Sequence, residues 1–339
     1  MLSPTNNINT LYPKTTGHRT LAKVSVLSVI ALLIVLILES QNILDAIKIM
    51  GYTEPPDVAT IMQQDTMTNY AAHLIKLNHT QIESSAVFSK QCPNNGGEKT
   101  IVLGCYHSGE NGIFILKVND PTLDGVEQVT EAHEMLHAAY ERLSSSERNY
   151  IDSQLLSYYK NDLTDPRLKQ VIDAYKKTEP NDVVNEMHSV FGTEVMHLPP
   201  ALESYYHKYF SNRQAVAAYA AKYQSVFTTR QQQAAHDKAL LTALKQQVDA
   251  VEADLSVKLS SINSQQGQLE AEKAKGDING YNAGVASYNA HIDAYNAEVG
   301  QLKNLINQYN ALVAAYNSVV LRESQLYKEL SGYSNNNPA

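Results

Sequence analysis

From Tyr281 to Val320 the sequence repeats every seven residues. Tyr-Asn pairs stand at 281–282, 288–289, 295–296, 309–310 and 316–317, and Leu302 takes the slot between the third and the fourth. Four residues after each position comes a β-branched residue: Val285, Ile292, Val299, Ile306, Val313 and Val320. Two apolar positions per heptad, sustained this long, draw one narrow apolar seam along a helix, and such a seam is covered by another helix. The preceding stretch carries its own seven-residue stripe of Leu241, Val248, Leu255, Ile262 and Leu269. Between the two lies "KGDINGYN", where Gly276 and Gly280 break the helix. The predicted arrangement for residues 229–335 is an α-helical coiled-coil hairpin. Its arms are about 60 Å long, at about 1.5 Å per residue over roughly 40 residues. Pairing with a second chain is the alternative, and the tyrosine stripe reads as core in either case.

At the other end, Leu21–Leu38 reads "LAKVSVLSVIALLIVLIL", with Lys23 its one charge. About 20 apolar residues span a bilayer, so this run suffices as a transmembrane segment. Lys14, Arg19 and Lys23 lie before or near its start, while Glu39 and Asp45 follow it. Positive charge stays in the cytoplasm, which places residues 1–20 inside as a tail and the bulk of the chain outside the cytoplasm. A cleaved signal peptide is the rival reading, but "ESQNILDA" offers no small-residue cleavage site, so an uncleaved signal anchor in the cell membrane is expected. Cys92 and Cys105 both fall in the exported part, where a pair oxidises to a disulfide. Two buried thiols are the alternative. Asn78-His79-Thr80 forms a glycosylation sequon, a short and unspecific pattern. The net charge of −8 and the absence of a basic patch exclude a nucleic-acid partner.

Residues 39–55 read as a linker ended by Pro55-Pro56. Residues 56–228 then form a separate unit. A helical pattern covers Asp57 to about Ser89. Two β-rich runs, Thr100–His107 and Gly112–Val118, flank "SGENG" as a β-hairpin. Asp120-Pro121 ends it, and a helix starts near Gly125. Ser144 to Ser146 followed by Glu147 caps a helix through about Lys160. Asp165-Pro166 starts another, residues 179–182 break the chain, and Pro199-Pro200 divides the stretch that follows.

The helix beginning near Gly125 carries the chemistry, in "VTEAHEMLHAAYERL". Residues i and i+4 share one helix face, so His133 and His137 can point their imidazoles at one metal ion. Glu134 sits about 100° further round, within reach of a water at that metal. A helix with two solvent-facing or structurally paired histidines is the plain alternative. A catalytic zinc site takes a third protein ligand. The metzincin extension needs a glycine and a third histidine soon after the motif, and "AAYERLSSSER" has neither. Further on, "VVNEMHSVFGTEV" offers Glu186 on a predicted helix, with Glu194, His188 and His197 as alternatives.

HEMLH followed by an Asn-Glu helix resembles the gluzincin group of zinc metallopeptidases, through His133, Glu134, His137, Asn185 and Glu186. The resemblance covers about residues 112–194. It implies Zn²⁺ held by His133, His137 and Glu186, with Glu134 as general base. Thermolysin-like members carry an aspartate four residues after the ligand glutamate to support a zinc histidine. Here that position is Val190, and the support falls to Glu194 or Asp182. Stabilisation of the oxyanion falls to a tyrosine or histidine, for which Tyr205, Tyr206 and His207 are the candidates. The strand "GIFILKV" is expected to bind substrate by edge pairing.

The expected protein is mainly α with a small β-hairpin or sheet: a zincin-like α+β peptidase domain between an N-terminal transmembrane helix and a C-terminal coiled-coil hairpin. Its expected partners are a peptide or protein substrate, the membrane through residues 21–38, and a coiled-coil partner or a second copy. The alternatives are a non-catalytic cell-envelope adaptor that binds a partner through the coiled coil, and a metal-binding sensor without hydrolysis.

Overall fold

The computed structural model describes residues 40–93, 103–109 and 112–331. The expected tail and transmembrane segment lie outside the described residues. Among the described residues no helix is long and apolar enough to cross a membrane. The described residues fall into two compact units, divided between Glu54 and Pro55. In the first, helix α1 (Ser40–Ile49) occupies most of the stretch expected as a linker and exposes Ile43, Leu44 and Ile47.

The second unit is mainly α with a small mixed sheet. The helical stretch expected over Asp57 to Ser89 is broken into α2 (Pro56–Gln64), α3 (Asn69–Leu77), strand β1 (Gln81–Glu83) and α4 (Ser85–Gln91). Two residues in left-handed backbone, Thr66 (φ 54°) and His79 (φ 46°), make the breaks. Thr68 then caps α3 by accepting from the Ala71 N–H. β1 has no sequence signal of its own; it is a strand because it pairs in parallel with β3 (Ile113–Leu116). The expected hairpin appears as β2 (Gly104–Tyr106) antiparallel to β3, with Cys105 opposite Phe114. Residues 100–102 of its first run lie outside the described residues. The strand order β1-β3-β2 puts β3 in the centre. "GIFILKV" is therefore not the edge expected from sequence, because parallel pairing with β1 occupies its second side.

Cys92 and Cys105 are joined as a disulfide, which ties β2 to the end of α4. Asn78 is buried and its side-chain amide donates to the Leu74 carbonyl at 2.8 Å, so the sequon is closed to a glycosyltransferase in the folded chain.

Helix α5 (Val126–Glu141) runs through the middle of the unit, against α2, α3, β2 and β3. It starts at Gly125, whose φ of 107° suits glycine, and a Cβ there would lie 2.8 Å from the Tyr219 carbonyl oxygen. Ala132, Met135, Leu136, Ala138 and Ala139 are buried, and so are the polar Gln128, Thr130, Glu131, Glu134 and His137. A helix buried on nearly all sides with this many polar groups is costly unless those groups have work to do. α6 (Ser145–Asn161) opens on a full capping box between Ser144 and Glu147. α7 (Pro166–Thr178) is capped by Asp165, which accepts from the N–H groups of Arg167 and Leu168. α8 (Val183–Glu194) packs on α5, and α9 (Pro200–Tyr206) follows the proline pair.

The C-terminal hairpin consists of α10 (Arg213–Ala274) and α11 (Ile278–Ser331). α10 passes through residues 228–229 without a break, so at about 1.5 Å per residue it is roughly 90 Å long, beyond the expected 60 Å. Its first turn is fixed by buried Arg213, which donates to Glu203 and to the carbonyls of Gly192 and Met196. The antiparallel register is set by Phe227 on Tyr327, Gln231 to Glu323, Lys258 to Glu298 and Gln265 to His291. Leu255 and Ile262 of the first stripe are buried, and the Tyr-Asn tyrosines are half-buried along the seam. Further along α11, exposed Ile306 and Val320 yield the seam to Leu305 and Val319. Neighbours three and four residues on share a helix face, and the facing helix decides which of them turns in.

Candidate metal centre

His133 and His137 stand one turn apart on α5, and Glu186 reaches them from the first turn of α8. The two Nε2 atoms are 3.0 Å apart; Glu186 Oε1 is 3.4 Å from His137 Nε2, and its Oε2 is 3.7 Å from His133 Nε2. A tetrahedral ion bound at about 2.05 Å separates its ligand atoms by about 3.3 Å, so these three distances are compatible with a metal ion held between the three side chains. Glu186 Oε2 is buried without a hydrogen-bond partner, an acceptor left over where an ion fits. Burial raises the Glu186 carboxyl, but the imidazoles of His137 and His133 and the Tyr175 hydroxyl outweigh it and hold the group below its usual range.

None of the alternative ligands joins the three. Glu194 pairs with Arg167 at 2.8 Å, His197 is exposed, and His188 is fully buried with its Nε2 2.8 Å from the Tyr205 hydroxyl. Burial, and then the nearby His137 and His133, push the His188 imidazole down to about 3. His188 is two residues from Glu186, about 200° round the helix, so the two face opposite sides. Val190, at the position where thermolysin-like members carry an aspartate, lines the cleft. Of the two groups expected to support the histidines, Glu194 is held by Arg167 and Asp182 accepts from Asn185 Nδ2 at 3.2 Å.

The three residues open into a cleft of about 930 Å³. One wall is the edge strand β2 with Gly104 and Tyr106; the Tyr106 hydroxyl donates to Glu141 Oε2 at 2.6 Å. Glu134 lies at the foot of this wall. A Cβ on Gly104 would fall 2.8 Å from Glu134 Cγ and Oε1 and 2.6 Å from Thr130 Cγ2, so only glycine lets the strand approach the carboxylate this closely. A second wall is the base of the hairpin, with Tyr223, Phe227 and Gln231 from α10 and Tyr327 from α11. The rim is acidic, with Glu141, Glu179 and Asp182.

Tyr205, Tyr206 and His207 do not line the cleft. Tyr206 is buried and donates to the His188 carbonyl at 2.6 Å; the Tyr205 hydroxyl lies between His188 and Tyr209; His207 is exposed. Their helix, α9, packs behind α8, and its tyrosines satisfy the polar groups of that buried layer. The aromatic residue in the cleft beside Glu186 is Tyr175 of α7, in "DAYKKTEP", a stretch without any motif. Compared with known proteins, the chain matches no family model, no curated protein and no solved structure.

Proposed function

We propose that the chain is a membrane-anchored, extracytoplasmic zinc peptidase. The convergence of His133, His137 and Glu186 at the floor of a cleft, with Glu134 beside them, carries this reading. Zinc in that position supplies a Lewis acid for the scissile carbonyl. Glu134 takes a proton from the attacking water and hands it to the leaving amine. Tyr175, hydrogen-bonded to Glu186, orients that carboxylate. The substrate is an extended peptide laid along β2, which has no strand partner on its cleft side among the described residues. The acidic rim favours a substrate with basic side chains. Residues 21–38 anchor the chain, and the Cys92–Cys105 disulfide suits an oxidising compartment outside the cytoplasm.

Metal analysis of the purified chain tests this directly. About one zinc per chain is expected, and His133→Ala, His137→Ala and Glu186→Ala should each remove most of it. Zinc retained by Glu186→Ala but lost in Glu194→Ala overturns the ligand set. Gly104→Ala is a milder probe. Its methyl displaces the Glu134 carboxylate, and a misplacement of about 1 Å costs on the order of 10²-fold in rate. The expected variant keeps its zinc and loses about that much turnover; full turnover at equal zinc content would show that β2 does not set the position of Glu134.

The second reading is an adaptor that uses the long hairpin to bind a partner or a second copy. It is favoured by the extent of α10 and α11 beyond the cleft. A chain that binds no zinc decides for it.

A further inference from the structure

Helix α1 has its burial inside out. Ile43, Leu44, Ile47 and Met50 are exposed at 44%, 59%, 56% and 75%, whereas Asp45 is buried at 5%. Ile43 and Ile47 lie one turn apart on the same face, Met50 continues their row just past the end of the helix, and Leu44 widens it. Asp45 is two residues from both Ile43 and Ile47, about 200° round the helix from each. A surface helix in water does the reverse, with its apolar stripe inward and its charges outward. Single exposed apolar side chains are ordinary, but four on one short helix, opposite a buried acid, form a patch that a neighbour covers.

The chain just before α1 says what that neighbour is. The apolar run Leu21–Leu38 ends two residues before Ser40. A run that spans a bilayer delivers its end to the headgroup level. Met50 follows Leu38 by twelve residues. At about 1.5 Å per residue, the whole apolar face is therefore tethered within about 20 Å of the lipid surface. The charges fit the same neighbour. Asp45 and Lys48 cancel, so burial of apolar side chains rather than attraction to anionic lipid supplies the binding. Lys48 is exposed one turn after Leu44, where its stem can lie along the apolar face and its ammonium stay in water.

We propose that α1 is an interfacial helix. It lies in the plane of the extracytoplasmic leaflet, with Ile43, Leu44, Ile47 and Met50 against the acyl chains and Asp45 turned away from the lipid. The proposal rests on the reading of residues 21–38 as a membrane anchor and not on the peptidase chemistry. The rival course is a stalk, a helix that rises out of the bilayer and leaves its apolar face in water.

The sequence holds no tryptophan, so one introduced indole reports alone. Asn42→Trp, Ile43→Trp, Ile47→Trp and Met50→Trp, each in the full chain, are reconstituted in phosphatidylcholine vesicles with and without bromine on the upper acyl chain. Bromine quenches an indole only at close approach. An apolar face sunk about 5–10 Å into the boundary brings positions 43, 47 and 50 within reach. Their emission is expected to fall alike, on the order of twofold, and that of Asn42→Trp, off the apolar face, much less. Quenching that declines along the chain, strongest at Asn42→Trp and lost at Met50→Trp, is the signature of a stalk and overturns the proposal. Absence of quenching at all four positions, in a chain that floats with the vesicles, also overturns it while leaving the anchor in place. A chain that does not float with the vesicles overturns the anchor and the proposal together.

Discussion

Glu134→Gln is expected to keep the fold and the zinc while lowering peptide hydrolysis by about 10²–10⁴-fold. Glutamine is nearly isosteric with glutamate, and the space that the missing Gly104 Cβ leaves beside Glu134 admits an amide of the same size. Glu134 is not among the three residues whose ligand atoms converge, so metal content should not change. What the amide lacks is a basic oxygen able to take the proton of the attacking water. The loss corresponds to about 3–5 kcal/mol of barrier. Turnover of a peptide by both proteins at equal zinc content is the measurement. Equal rates would leave His133, His137 and Glu186 as a structural metal site and pass the function to the adaptor reading.

Ending the chain at Thr228 is expected to lower the melting temperature of the remaining unit by about 10–20 °C. The cut removes Leu326 and Leu330, at 0% and 4% exposure, from the main core, and strips Tyr327 from Phe227. Burial of a leucine is worth about 1.5–3 kcal/mol, so the loss is on the order of 5 kcal/mol. That is a large part of the 5–15 kcal/mol that typically holds a domain together, and each kcal/mol moves the midpoint by about 2–4 °C at this size. The bonds from Arg322 to Asp120 and from the Asn119 N–H to Glu329 go as well. Calorimetry of the shortened and the full chain decides. An unchanged midpoint would mean that the arm is an independent appendage and that its base is dispensable to the cleft.

The sequence by itself determined the features that depend on neighbours a few residues away. The His133–His137 pair follows from the four-residue spacing of one helical turn. The start of α6 at Ser144 and of α7 at Asp165 follows from capping groups that bond to the next turn. The hairpin follows from two heptad stripes separated by glycines, and the pairing of β2 with β3 from a short turn between two β-rich runs. All of these are local geometries, so local patterns report them.

The tertiary structure decided whatever depended on which faces meet. α8 is buried over nearly its whole circumference, so hydrophobicity could not say which of its polar residues faces α5; packing turns Glu186 to the histidines and His188 to Tyr205. Tyr205, Tyr206 and His207 carried suitable chemistry, but α9 lies behind α8, while Tyr175 reaches the cleft from a helix with no motif at all. β1 became a strand only because β3 offered it an open side, and that moved the edge of the sheet to β2. The base of the coiled coil became a wall of the cleft because α10 continues unbroken from the core into the arm. Contacts between residues far apart in sequence depend on the docking of whole elements, which no window of neighbouring residues encodes.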